Sequence, residues 1–318
     1  MSSRELVVLG TASQAPTRHR NHNGYLLRWE GRSILFDPGE GTQRQLLLAG
    51  VSAWPIHHIC ITHFHGDHCL GLPGVLQRMS LDGVPHPVHV LYPASGADYF
   101  HRLRHASVFR DRIDVRPVPV TEDGTVWADG SLSITAMRLD HEPETFGWRV
   151  EEPAGRRMLP DRLTRAGVQG EAIGRLQRLG EVEANGRRVL LEEVSQHRAG
   201  QRMAFVMDTG ICDAAVALAA EADLMVCEAT FSSADAELAR RFSHLTAADA
   251  ARVARDAGAR LLVLTHFSQR YPDSQVLVDE ATAIFPDVIA AVDLLRVPVP
   301  SRGTLPTQAR ADTIEVDR

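Results

Sequence analysis

A chain of 318 residues that is 44% hydrophobic and 23% charged can bury a large core, as one sizeable domain or two closely joined halves. Its net charge of -6 argues mildly against a nucleic-acid partner, since phosphate binders tend to be basic overall. No apolar run approaches the roughly 18 residues a membrane helix needs, and MSSRELVVLG lacks a basic region followed by a signal-length apolar stretch, so no membrane association and a cytoplasmic location are expected.

Short strand-like runs come first: ELVVLG at 5–10, GYLLRW at 24–29, SILFD at 33–37 and HHICIT at 57–62. Between them, 42–49 reads as a helix with Thr42 as its cap, an apolar patch Leu46 to Leu48 and a stop at Gly50. After ITHFHGDHCLG at 61–71 the pattern continues as helix, strand VHVLY, helix, and strands near 113–118, 131–139 and 145–150. Residues 151 to about 190 fall outside the alternation and read as an insertion rich in Gly and Arg. Strand MAFVMD at 203–208 then leads to an Ala-rich helix, strand LMVCE at 224–228, helices from about 234 and 246, and strand LLVLT at 261–265. The expected class is α+β, two β-sheets packed face to face with helices outside, and residues 299–318 read as a polar tail. Four scattered cysteines, Cys60, Cys69, Cys212 and Cys227, read as buried thiols. Lysine is absent, so every fixed positive charge is an arginine, a planar fork suited to phosphate.

The chemistry concentrates in six positions, where His63, His65, Asp67 and His68 follow a buried strand. Alternate residues of an extended loop project to one side, so His63 and His65 can grip one ion while Asp67 and His68 face a second. Imidazole nitrogen with carboxylate oxygen suits zinc best, with manganese or iron as alternatives. Four donors do not complete two sites. His141 in RLDHEPETFG, Asp208 in FVMDTG and His266 in LTHFSQ each follow an apolar strand, where a sheet would deliver them to one edge, and Asp208 could bridge the ions. His57 and His58 read as packing residues. A weak echo, ITHFHG against LTHFSQ, hints at duplicated halves.

With HFHGDH and a later His, Asp and His in that order, the chain resembles a metallo-β-lactamase-fold hydrolase. Narrower matches resemble ribonuclease Z, the tRNA 3′-end-processing endonuclease, in its short bacterial form. These are FDPGEGTQRQ at 36–45, HGDHCLGLPG at 65–74, CEATF at 227–231 and SHLTAADAARVARDAGARLLVLTHFSQRY at 243–271. PTRHRN at 16–21 is similar to the family's basic loop beside the substrate 3′ end, with Arg18 where lysine is usual and Arg20 beside it. The resemblance implies a four-layer αβ/βα sandwich over 1–298 with a protruding arm at about 151–190. It also implies two zinc ions per subunit, one held by His63, His65, His141 and Asp208 and the other by Asp67, His68, Asp208 and His266.

The same resemblance implies hydrolysis that removes the 3′ trailer from precursor tRNA, leaving a 3′-hydroxyl on the tRNA and a 5′-phosphate on the trailer. Asp67 corresponds to the family's proton acceptor. His244, just before the Thr246 cap with Asp249 at the capping-box position, is the candidate donor to the leaving oxygen, and Glu228 could orient it. A homodimer is implied, and DNA is not expected as a substrate. The arm departs from the family's Gly-Pro tip: its matching region reads GVQGEAIGRLQRLGE, and Arg175 and Arg178 there are candidate RNA contacts. From 156 to 188 the arm holds eight arginines against four acids. Two rivals stand beside this expectation. One is a hydrolase of a small phosphodiester, sulfate ester, thioester or lactone on the same fold; the other is a non-catalytic, metal-stabilised RNA-binding protein.

Overall fold

The computed structural model describes residues 4–301. Of the tail expected at 299–318, residues 302–318 lie outside the described residues, and Val299 is instead buried, its N–H donating to Arg4 O at 2.9 Å. Two seven-stranded sheets dominate. The first is built from β1 (Glu5–Gly10), β2 (Gly24–Trp29), β3 (Arg32–Phe36), β4 (Ile56–Cys60), β5 (Val88–Pro93) and β6 (Val115–Val120), with the C-terminal strand Arg296–Pro298 added beside β1. The second runs in spatial order from Val288–Ala290 through Leu262–Thr265, Leu224–Glu228, Arg202–Val206, Phe146–Glu151 and Ser133–Arg138 to Gly124–Ala128.

Period-two alternation explains why these runs are apolar throughout. In β1, Leu6 and Val8 face the second sheet while Val7 and Leu9 face helices; in Arg202–Val206, Met203 and Phe205 face inward while Ala204 and Val206 face out. Phe205 stacks on Phe36 at 4.8 Å and meets Tyr25 edge-on at 5.2 Å, contacts worth about 1 kcal/mol each beyond area burial. Helices Thr42–Leu48, Leu72–Asp82 and Ala97–Arg104 cover the first sheet through Leu46, Leu76, Met79 and Phe100. Helices Asp213–Ala219, Ala247–Asp256 and Gln275–Thr282 cover the second through Leu218, Val253 and Leu277. The αβ/βα order matches expectation, and no helix among the described residues is long and apolar enough to cross a membrane.

Several local expectations change. Thr42 is the first helical residue, not the cap; Gly41 takes that place at φ 86°, and Thr42 Oγ1 donates to Gly39 O at 2.7 Å. Leu46 is buried, but Leu47 and Leu48 are 74% and 50% exposed. The strand Gly124–Ala128 was not anticipated, because its mixed composition carries little β signal. By contrast, the Thr246 cap forms as expected: its side chain accepts from Asp249 N while Asp249 reaches back to Thr246 N. All four cysteines are free, with Cys60, Cys69 and Cys227 buried and Cys212 half-buried.

The arm forms a compact unit of its own from Glu151 to Gln201, longer than expected. Gly155–Met158 pairs with Ser195–Arg198, helices Pro160–Ala166 and Glu171–Leu179 follow, and Glu181–Ala184 forms a hairpin with Arg187–Leu190. Its small core holds Leu163, Val168, Leu176, Val189 and Val194. Gly167 ends the first helix at φ 72°, where a Cβ would fall 2.2 Å from the Asn185 side chain. Over its full extent the unit carries nine arginines against eight acids. The excess seen over 156–188 is therefore local; Arg187 pairs with Glu193 beyond that window and Arg188 with Glu181 inside it.

Candidate metal centre

Strands β3 and β4 run parallel, as do Arg202–Val206, Leu224–Glu228 and Leu262–Thr265. Parallel strands place whatever follows them at one edge, the carboxyl edge, where sheet-based sites form. There lie Asp37 after β3, His63 after β4, and Asp208, Glu228 and His266 at the ends of the second-sheet strands; His141 comes from the loop after Ser133–Arg138. Asp37, Asp208 and His266 have φ of 43°, 36° and 59°. Left-handed backbone in non-glycine residues costs energy and persists where the surrounding structure over-determines it, as at a functional site.

Donor atoms of His63, His65, His141 and Asp208 lie within 4.8 Å of one another, and so do those of Asp67, His68 and His266. Asp208 joins the sets. Its Oδ2 is 3.6 Å from His63 Nε2, 3.4 Å from His68 Nε2 and 3.8 Å from His141 Nε2, while Oδ1 is 3.2 Å from His266 Nε2. Asp67 Oδ2 faces His68 Nε2 at 3.3 Å and His266 Nε2 at 3.5 Å.

The outer ring nitrogens explain why these faces point inward. Thr62 Oγ1 donates to Asp37 Oδ2 at 2.8 Å, so it accepts from His63 Nδ1 at 3.0 Å. Asp37 Oδ2 also accepts from His68 Nδ1 at 2.8 Å. Thr230 Oγ1 donates to Glu228 Oε2 and accepts from His266 Nδ1 at 2.8 Å, and His141 Nδ1 donates to Ser243 O at 3.0 Å. Each fixed Nδ1–H leaves a lone pair on Nε2, the arrangement that outer hydrogen bonds impose on metal-binding histidines. Asp37 and Thr230 were not named as site residues from sequence, although Asp37 follows a buried strand as Asp208 does.

The residues fit a cation. Buried His141 Nε2, His266 Nε2 and Asp208 Oδ1 have no hydrogen-bond partner, a costly state unless something positive sits between them. Burial would raise the carboxyls of Asp67 and Asp208, yet the surrounding imidazoles hold both well below the usual range. Burial would lower His68, yet Asp208, Asp67 and Asp37 push it well above its ordinary value. Such a concentration of carboxylate calls for positive charge, and a metal ion supplies it without protonating an imidazole.

Beside this cluster, His244 Nδ1 donates to Glu228 Oε1 at 2.9 Å, and the same oxygen accepts from Thr209 N at 2.8 Å. Burial alone would depress the His244 imidazole; the Glu228 carboxylate outweighs it and holds the ring at about 9. The His244 ring sits 5.2 Å from His141 and 5.5 Å from His266.

Comparison with known proteins narrows the family. Residues 17–145 match the metallo-beta-lactamase superfamily model and 191–267 a beta-lactamase superfamily domain model. The chain is 58% identical to ribonuclease Z of Salinispora arenicola over 95% of this chain and 98% of that protein. To ribonuclease Z of Streptomyces avermitilis it is 55% identical over 95% of this chain and 100% of that one. The chain belongs to the ribonuclease Z family. The crystal structure of human tRNase Z, short form, superposes with a TM-score of 0.67 at 26% identity, covering 93% of this chain and 99% of that one. Membership makes the chain a metal-dependent endoribonuclease, and it is consistent with the donor sets found at the sheet edges.

The four arginines singled out for RNA are placed differently. Arg18 is exposed. Arg20 is committed to structure: it donates to Tyr271 O at 2.8 Å and lies 5.1 Å over the Phe267 ring, pinning the 17–20 loop beside His266. Arg175 and Arg178 lie exposed on one face of Glu171–Leu179, without a carboxylate partner among the described residues. His57 and His58 stay out of the metal cluster; His57 stacks on His86 at 3.8 Å, and buried His58 packs against Trp127 at 4.1 Å.

Proposed function

We propose that this tRNA 3′-processing endoribonuclease holds two divalent cations, zinc by its imidazole and carboxylate donors. One is held by His63, His65, His141 and Asp208, the other by Asp67, His68, Asp208 and His266. The observation that carries this assignment is the shared Asp208 carboxylate, within 3.2–3.8 Å of histidine nitrogens from both sets. Bound there, two cations would acidify water toward neutrality and offset charge developing on the phosphoryl oxygens.

The chain's own groups supply the rest. Glu228 keeps His244 oriented through Nδ1, and its carboxylate favours the charged imidazole, so Nε2–H can be given to the 3′ oxygen as it leaves. Asp67 stays ionised and is a weak base at its depressed pKa, so its part is to orient the attacking water by accepting its hydrogen bond. Arg18 and the exposed pair Arg175 and Arg178 attract the RNA backbone. A homodimer is supported by exposed Leu47 and Leu81, which border grooves sharing Gln43 and Arg78 between helices Thr42–Leu48 and Leu72–Asp82. A cytoplasmic location fits a substrate made there.

Incubating the metal-loaded protein with a 3′-extended precursor tRNA, with and without chelator, tests the proposal. Cleavage to a tRNA 3′-hydroxyl that chelator abolishes and zinc restores is expected. An intact precursor in the metal-loaded reaction would overturn it, and so would cleavage indifferent to chelator.

A further inference from the structure

A second feature of the motif ITHFHGDHCLG lies outside the metal chemistry. Phe64 stands between His63 and His65, and its half-buried ring leans on the turn Ala94–Gly96. A Cβ at Gly96 would fall 2.1 Å from that ring, so only glycine lets it lie this close to the backbone. Beneath it are buried Tyr92, edge-on at 5.9 Å, and Phe100, stacked on Tyr92 at 4.6 Å. Beside it, Tyr99 lies nearly parallel, 29° away with centroids 5.9 Å apart, and is 55% exposed. Arg102, one turn further along helix Ala97–Arg104, places its guanidinium 5.9 Å from the Tyr99 ring.

The shelf is tied to the metal edge by hydrogen bonds. Ser95 N donates to Glu144 Oε2 at 3.4 Å, and Glu144 belongs to the loop that carries His141. Phe146 N, at the end of that loop, donates to Thr62 O at 3.0 Å, one residue before His63. A rigid, partly exposed aromatic pair beside a phosphate-cleaving centre has the character of a base-stacking platform, since every base presents a π-face. Local charge agrees. Residues 97–116 hold five arginines against Asp98, Asp111 and Asp114. Arg104 and Arg116 pair with Asp111 and Asp114, while Arg102, Arg110 and Arg112 face no carboxylate partner among the described residues.

We infer that Phe64, Tyr99 and Arg102 form a positioning site for the first base of the 3′ trailer, a deduction that rests on the placement of the metals and of His244 above. His244 must meet the leaving 3′ oxygen, which belongs to the tRNA side of the bond. The shelf takes the other flank in this assignment because it is built on the first sheet, from the segments that follow β4 and β5, whereas His244 is held by Glu228 of the second. The base on that flank is the one that departs with the 5′-phosphate. Stacked there, it turns the scissile phosphate toward the metals, and Arg102 offers charge to the next phosphate.

The test compares precursor tRNAs that differ only in whether the first trailer nucleotide carries a base or is abasic. For the wild-type enzyme, the abasic precursor should lose about 10- to 100-fold in kcat/KM, the worth of one stacked base, mostly through KM. Tyr99→Ala should lose a similar factor on the intact precursor and little more on the abasic one, whereas Tyr99→Phe should behave as wild type. Tyr99 is exposed and remote in sequence from the metal donors, so metal content and unfolding temperature should stay unchanged. Phe64→Leu, with metal content measured, should lose less than Tyr99→Ala. A wild-type enzyme indifferent to the missing base, or losses from Tyr99→Ala and the abasic site that multiply, would overturn the inference. Failure of the wild-type enzyme on the intact precursor would instead sink the metal and His244 assignments on which it rests.

Discussion

The two sheets build their shares of the metal edge in opposite ways. The first delivers His63, His65, Asp67 and His68 from one contiguous stretch after one strand, the last two on the helical turn Gly66–Cys69, with Asp37 after the neighbouring strand holding His68. The second delivers one group per strand: Asp208, Glu228 and His266 end three adjacent parallel strands. The first arrangement relies on local chain geometry, and the second on register between segments far apart in sequence. A contiguous site tolerates some movement of its sheet, whereas a dispersed one is only as good as the pairing that aligns it.

The sharpest way to break this comparison is Asp208→Ala, which removes the carboxylate common to both donor sets. Both ions should be lost and cleavage should fall by roughly 1,000-fold or more. His63→Ala, by contrast, should deplete one ion in preference to the other. Elemental analysis of the purified variants distinguishes these patterns, and full metal occupancy in Asp208→Ala would refute its bridging place. Next in size is His244→Ala, expected to slow cleavage by about 100- to 10,000-fold while both ions remain bound. Loss of metal in that variant would make His244 a ligand instead.

Smaller effects compare the supports of the two sheets. Asp37→Asn weakens the hold on His68 in the first, and Thr230→Val the hold on His266 in the second. Each should cost about 10- to 100-fold in metal affinity, measured by competition with a chelating dye. If neither variant changes affinity, the outer hydrogen bonds do not orient the histidines.

The smallest effect at neutral pH belongs to His58, on the same strand as the metal loop but buried against Trp127 with neither ring nitrogen bonded. Burial first, then the charges of His89, His57 and Arg32, lower its pKa to about 3, against an opposing pull from Asp129. The unfolded chain therefore binds the proton before the folded one does. Stability from this group is complete above an ordinary pKa of about 6.5 and is lost as pH falls toward 3, on the order of 5 kcal/mol in all. His58→Phe should flatten that acid limb in urea titrations from pH 7 to pH 4 without altering cleavage at neutral pH; an unchanged limb would count against it.

Much of this molecule was legible in advance for identifiable reasons. The buried strands announced themselves because both of their faces are covered, and the Thr246–Asp249 cap because its bonds are local. Misreadings fell where local signals compete. Gly41 displaced Thr42 as a cap because it reaches a positive φ without strain, and Leu47 and Leu48 proved exposed although they adjoin buried Leu46. Arg20 also has a structural part that its local sequence did not announce, reaching Tyr271 O and the Phe267 ring, partners about 250 residues away. The arm's apparent basicity faded once its closing strand brought Glu192, Glu193 and both of its first two residues, Glu151 and Glu152, into the same unit.

Residue order alone determined the class of chemistry, because three imidazoles and a carboxylate crowded into six positions after a core strand have few uses other than metal. It determined the apolar alternation of both sheets, for hydrophobic burial follows the period of the chain. Only the tertiary structure decided that Asp37 and Thr230 support that cluster, which nitrogen of each ring faces inward, and that Phe64 and Tyr99 share a shelf beside it. Those features depend on parallel register and on hydrogen bonds between segments, and neither leaves a local trace in the sequence.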